Sequence, residues 1–149
     1  MTAASRATVR KAIASQLKAT GVMPTAKGNI YDYMYSGFAG ASPVVRVMSG
    51  GSARPRDTQH GVPSRFYFTI QLWVLAYERG DAAQQAAAED TLDAMEAELV
   101  TWLGDLAIRT QPGLWRDLGT FDASRVEVRT AQGHQYIVED VPIEVTVNG

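Results

Sequence analysis

Apolar and polar positions along the chain follow two periods, and each change of period marks a change of element. Between Ala3 and Thr20, Val9, Ala12, Ile13, Gln16 and Leu17 recur near helical spacing, with Gly21 as a C-terminal stop, so the pattern predicts a short amphipathic helix. Met23-Pro24 to Gly28-Asn29 is rich in turn formers. Ile30 to Tyr35 and Pro43 to Met48 read as two short strands on either side of Ser36-Gly37-Phe38-Ala39-Gly40, with Pro43 at the first position, where a strand tolerates proline.

From Arg65 to Tyr77 the period becomes two. Phe66, Phe68, Ile70, Leu72, Val74 and Ala76 fall on one face of a long strand, the expected core face, and alternate with Tyr67, Thr69, Gln71, Trp73, Leu75 and Tyr77. At ~3.3 Å per residue the run spans roughly 40 Å, about twice an ordinary strand, so it is expected to bend or to reach beyond the body of the domain. Tyr67, Trp73, Leu75 and Tyr77 are large groups that need covering, either by a helix of the same chain or by a neighbouring subunit; they are the candidate subunit interface. Glu78-Arg79-Gly80 turns the chain, and Asp81 with Gln84 makes an N-cap and capping-box pair. Helical spacing then resumes. Ala88, Leu92, Met95, Leu99, Trp102 and Leu103 form a stripe, Glu89, Asp93 and Glu96 lie on its flank, and Gly104 ends the helix. Leu106 to Phe121 reads as an irregular segment or helical turn pinned by Leu114, Trp115, Leu118 and Phe121. Ser124 to Thr130 and Gln135 to Val147 form a hairpin around Gln132-Gly133, and Pro142 marks an edge or a bulge in its second strand.

Helices do not alternate with strands one for one. The expected fold is therefore α+β: a mainly antiparallel sheet with flanking helices, one long central strand followed by an amphipathic helix, in a single domain over residues 1–149. Ser49 to Pro63, SGGSARPRDTQHGVP, has almost nothing apolar to anchor it and reads as a mobile loop at about 49–63. Its Arg54, Arg56 and His60 are candidate interaction residues, whether the loop is a tolerated excursion or an arm ordered by a partner.

Composition narrows the function classes. No stretch reaches the ~20 apolar residues of a spanning helix, and Met1 to Thr20 lacks the apolar block of a secretory signal, so no membrane is implied and the cytoplasm is the expected place of synthesis. Without cysteine there is no disulfide, thiolate metal site or cysteine nucleophile. A net charge of -2 argues against nucleic-acid binding as the main task. Residues 1–31 carry Arg6, Arg10, Lys11, Lys18 and Lys27 with no acid, whereas Asp81 to Gly104 carries Asp81, Glu89, Asp90, Asp93, Glu96 and Glu98 with no base. Such segments invite pairing, within one subunit or across a boundary.

Candidate chemistry is sparse. Ser15-Gln16-Leu17-Lys18 fits the S-x-x-K pattern of serine acyl-enzymes, but the companion motifs are absent. His60 and His134 have no ligand spacing around them. Glu89, Asp93 and Glu96 could hold a divalent cation, but a solvated face, or one matched to the basic first helix, is the better reading. No phosphate loop, dinucleotide fingerprint, zinc helix motif or nucleophile elbow is found. No catalytic residue, metal or cofactor is expected, and the chain does not read as an enzyme.

The basic first helix, the aromatic strand FYFTIQLWVLAYERG, the following AEDTLDAMEAEL and the closing GHQYIVEDVPIEVTV together resemble the tail-terminator, or tail-completion, family of long-tailed bacteriophages. The resemblance is closest from Arg65 onward. It implies a homo-oligomer, a ring of six, at the head-proximal end of the virion tail. Such a ring binds the tail tube protein at the end of a finished tube, stops its growth and offers a surface to the head-tail connector protein, while DNA passes through without specific binding. Glu89, Asp93 and Glu96 are then candidates for the wall of the ring's hole. A neck or head-completion protein at the portal shares the same features, and a small-molecule-binding α+β domain is the reading that a concave polar pocket would favour.

Overall fold

A computed structural model describes residues 4–38, 40–54, 63–76 and 82–147. Helix α1 runs from Arg6 to Lys18, opened by Ser5, whose side chain accepts a hydrogen bond from the Thr8 amide. Val9, Ile13, Ala14 and Leu17 make its buried stripe. After a short 3-10 turn at Pro24–Ala26 come β1 (Ile30–Tyr31), β2 (Val44–Ala53), β3 (Ser64–Leu75), α2 (Ala82–Leu103), α3 (Leu106–Arg109), β4 (Asp117–Thr120), β5 (Arg125–Ala131) and β6 (His134–Val147).

The strands form one sheet in the order β1-β2-β3-β6-β4, with β5 also on β6. All pairings are antiparallel except β1 with β2. The fold is α+β, as the sequence pattern predicts, with the long strand at its centre. β3 does not reach past the sheet. It is paired along its full length with β6, from Ser64 opposite Val147 to Leu75 opposite Tyr136. Pro142 lies in the interval between the ladders of β4, which begins at Ile143, and β5, which ends at Asp140. A residue without an N–H therefore removes no hydrogen bond from that edge.

Both long helices pack on the face carrying Phe66, Phe68, Ile70, Leu72 and Val74, and their buried stripes merge with Val141, Ile143, Val145 and Val147 into the main core. Each fully buried side chain of this size contributes roughly 1.5–3 kcal/mol, so this layer carries most of the stability. A smaller cluster of Phe38, Val44, Trp73, Tyr136 and Val138 occupies the opposite face at one end.

Three expectations change. The loop expected from Ser49 is strand as far as Ala53, paired from Ser49 opposite Phe68 to Ala53 opposite Arg65, with a bulge at Gly50. Backbone pairing needs no apolar side chains, and a Cβ on Gly50 would press to 3.3 Å from the Tyr67 carbonyl oxygen, so the small residues that suggested a loop instead fit a bulged strand. The strand expected over Ile30 to Tyr35 pairs only at Ile30 and Tyr31. β4, within a segment expected to be irregular, buries only Leu118 and so shows no alternation in the sequence.

Candidate assembly surfaces

The second face of the sheet is organised around Gln71. Arg46 on β2 donates to Gln71 Oε1 from Nε at 3.0 Å and from Nη2 at 2.5 Å, and to the Tyr35 carbonyl from Nη1 at 2.9 Å. Gln71 Nε2 donates to Asp140 Oδ1 at 2.7 Å, and Asp140 Oδ2 accepts from Arg129 Nη2 at 2.6 Å. Arg129 also donates from Nε to Glu127 at 2.7 Å. Charges of alternating sign thus cross four strands through one amide. Among the described residues no buried side-chain nitrogen or oxygen lacks a partner, the condition under which a buried polar chain is tolerated. Burial and the charge of Arg129 lower the Arg46 pKa, with Asp140 opposing. For Arg129, burial opposes the charged form, but the bonds to Glu127 and Asp140 outweigh it and raise the pKa.

Trp73, a candidate interface residue, is 4% exposed. Its ring stacks on Phe38 at 4.5 Å and meets Tyr136 edge-on at 5.5 Å, the Arg46 guanidinium lies 4.8 Å from its centroid, and Nε1 donates to Gln71 Oε1 at 3.1 Å. Its cover is neither a helix nor another subunit but the aromatic segment that follows β1, where Tyr31 and Tyr35 stack at 3.9 Å and Tyr35 meets Phe38. Leu75 is half-buried beside the same cluster, and Tyr67 is half-buried against Phe121, with ring centroids 5.3 Å apart. Tyr77 lies outside the described residues. So do Arg56 and His60, whereas Arg54 is exposed with its guanidinium 5.1 Å from the Phe66 centroid. The role of Phe38 could not be read from the sequence, since it lies among glycines that pointed only to a turn.

Glu89 and Asp93 are exposed on α2 and Glu96 is half-buried. At helical spacing the three share one flank of the helix. The other flank carries Glu98, which accepts from the Thr25 amide at 3.1 Å and the Thr25 hydroxyl at 2.5 Å, next to the turn that follows α1. Among the described residues no ion pair joins α1 to α2; Arg6 and Arg10 donate to Ser52 and Ser49 hydroxyls, and Arg10 also to the Asp32 carbonyl. The acidic flank overlooks Glu139 of β6, which is 6% exposed. Burial raises the Glu139 pKa, a hydrogen bond from Ser124 lowers it, and the charges of Glu96 and Asp93 raise it further. Among the described residues no three carboxylates or imidazoles come close enough to hold a metal ion, and no helix is long and apolar enough to cross a membrane.

Among solved structures, the chain is similar to one in the virion of a native gene transfer agent particle, with a TM-score of 0.53 and 23% sequence identity over 94% of each chain. The two share a fold. The likeness takes in nearly the whole of both chains, so the sheet and the helices on it belong to the common architecture. No protein-family model matches the sequence, and no curated protein matches it.

Proposed function

We propose that this chain is a structural virion protein of a phage-like particle, which forms a ring on the end of a finished tail tube, ends tube growth and provides the surface for joining to the head. The observation that carries the reading is the fold shared, over 94% of both chains, with a component of a gene transfer agent virion. The features quoted above for the tail-terminator resemblance narrow it to the end of the tail. The reading requires no catalysis, and the polar groups of the second sheet face bond to one another. A ring also requires two different contact surfaces on each subunit, and the sheet has two unlike margins.

Light scattering over a concentration series tests the ring. The expected result is a mass that climbs to about 97 kDa, six times the 16.2 kDa chain, with closed rings in electron micrographs. Purified tail tubes supply the second arm, in which added protein caps one end and stops elongation. A strict monomer that leaves tube growth unchanged would remove the reading, and binding to isolated portal instead of tube would move the protein to the neck.

A further inference from the structure

The margins of the sheet carry opposite signs. At the β1 margin, Lys11, Ser15 and Lys18 of α1 line a groove with Asp32 and Tyr33. Tyr33 is 52% and Met34 71% exposed there, and Asp32 is outnumbered by Lys11, Lys18 and Arg10. At the β5 margin, Val126 and Val128 pair opposite Glu139 and Ile137 and so lie on the helix-bearing face. α2 packs on β3, β6 and β4 and leaves these valines 59% and 61% exposed. α2 packs on β6 beside this strip, and the charges of its Asp93 and Glu96 act on Glu139, the residue opposite Val126. Among the described strands β5 pairs only with β6, which leaves its outer edge open. Uncovered edges with exposed β-branched residues invite association.

We infer that the β5 margin of one copy docks on the α1–β1 margin of a second copy of this chain, Asp93 and Glu96 meeting Lys11 and Lys18 while Val126 and Val128 meet Tyr33 and Met34. The inference rests on the ring reading and identifies its contact. A second copy is the occupant because each margin supplies what the other lacks: opposite charge, and an exposed apolar pair for an exposed apolar pair. The two margins differ, so the contact is heterologous and each copy leaves one margin free for the next, which is how rings are built. The acidic flank is thereby assigned to the joint between copies and not to the hole.

Two variants test it, D93K/E96K and K11E/K18E, each checked for folding by circular dichroism and weighed by light scattering. Alone, each places like charges across the joint, and its self-association is expected to weaken at least about a hundredfold. Mixed in equal amounts they restore opposite charges at every joint, and the wild-type mass is expected to return. Variants that assemble alone as wild type does, or a mixture that stays dissociated, overturn the assigned margins while leaving the ring reading intact. A wild-type chain that stays monomeric with and without tubes takes both down. If a reversal variant fails to fold, the neutral D93N/E96Q and K11Q/K18Q replace the pair; each is expected to associate more weakly alone, mixing is expected to repair only the joint at which both margins are intact, and unchanged association of the single variants overturns the proposal.

Discussion

Gln71 and Trp73, two residues apart on β3, decide what the second face of the sheet can be. The Gln71 amide lets Arg46 and Asp140 share one chain of bonds, and the Trp73 indole roofs the guanidinium. Losing the indole would open a cavity and strip one hydrogen bond from Gln71, so Trp73→Ala should cost about 3–5 kcal/mol in urea unfolding. An unchanged midpoint would show that the ring is not part of the core. Glu139 supports a prediction of the opposite sign. Because burial and the neighbouring Glu96 and Asp93 raise its pKa, the folded chain holds this proton more tightly than the unfolded chain does. The resulting stabilisation is complete below the ordinary carboxylate pKa and is lost as pH rises through the raised, folded value. Glu139→Gln keeps an oxygen to accept from Ser124 but removes the titration. It should therefore gain stability relative to wild type on going from mildly acid to neutral pH. A difference between the two that does not vary with pH would count against the assignment.

At the scale of elements, legibility followed burial. α1, β3, α2 and β6 each bury one regular stripe or face, so period alone located them in the sequence. The β5–β6 hairpin was legible for another reason: Gln132 and Gly133 both take positive φ, 51° and 79°, which a two-residue turn demands and which Gln-Gly between alternating strands suggests. The misread elements depend on neighbours far along the chain. The second half of β2 is held by backbone bonds to β3, and β4 shows only Leu118 to the core. The expected strand from Ile30 ends its pairing at Tyr31 among the described residues, and the chain beyond it brings Tyr35 against Phe38 and Phe38 over Trp73 instead. The candidate site was less legible than the fold. The sequence displayed both charged segments but not their sides of the sheet, since that depends on strand order, which periodicity does not encode. The exposed Val126 and Val128 read as ordinary strand residues until β5 is seen to lie beyond the cover of α2.

At the scale of the whole molecule, a chain with two unlike margins can close into a ring or run on as an open filament, and only the angle between successive copies decides which. Closure gives a sensitive readout, because a ring fails as a unit. A K11E/K18E copy keeps its acidic margin and can still dock on a wild-type neighbour, but its own α1–β1 margin refuses the next copy. One such copy therefore leaves one joint unmade, and the ring containing it opens. In a ring of six assembled at random from one variant copy in ten, about half of the rings would contain at least one variant. Electron micrographs of that mixture should thus show closed rings falling by about half, with open arcs in their place, although nine-tenths of the protein is wild type. D93K/E96K should poison to the same degree from the other side, since each ring needs both margins of every copy. A loss of closed rings no greater than the one-tenth of variant added would mean that the variant is merely left out, or that closure does not depend on these margins.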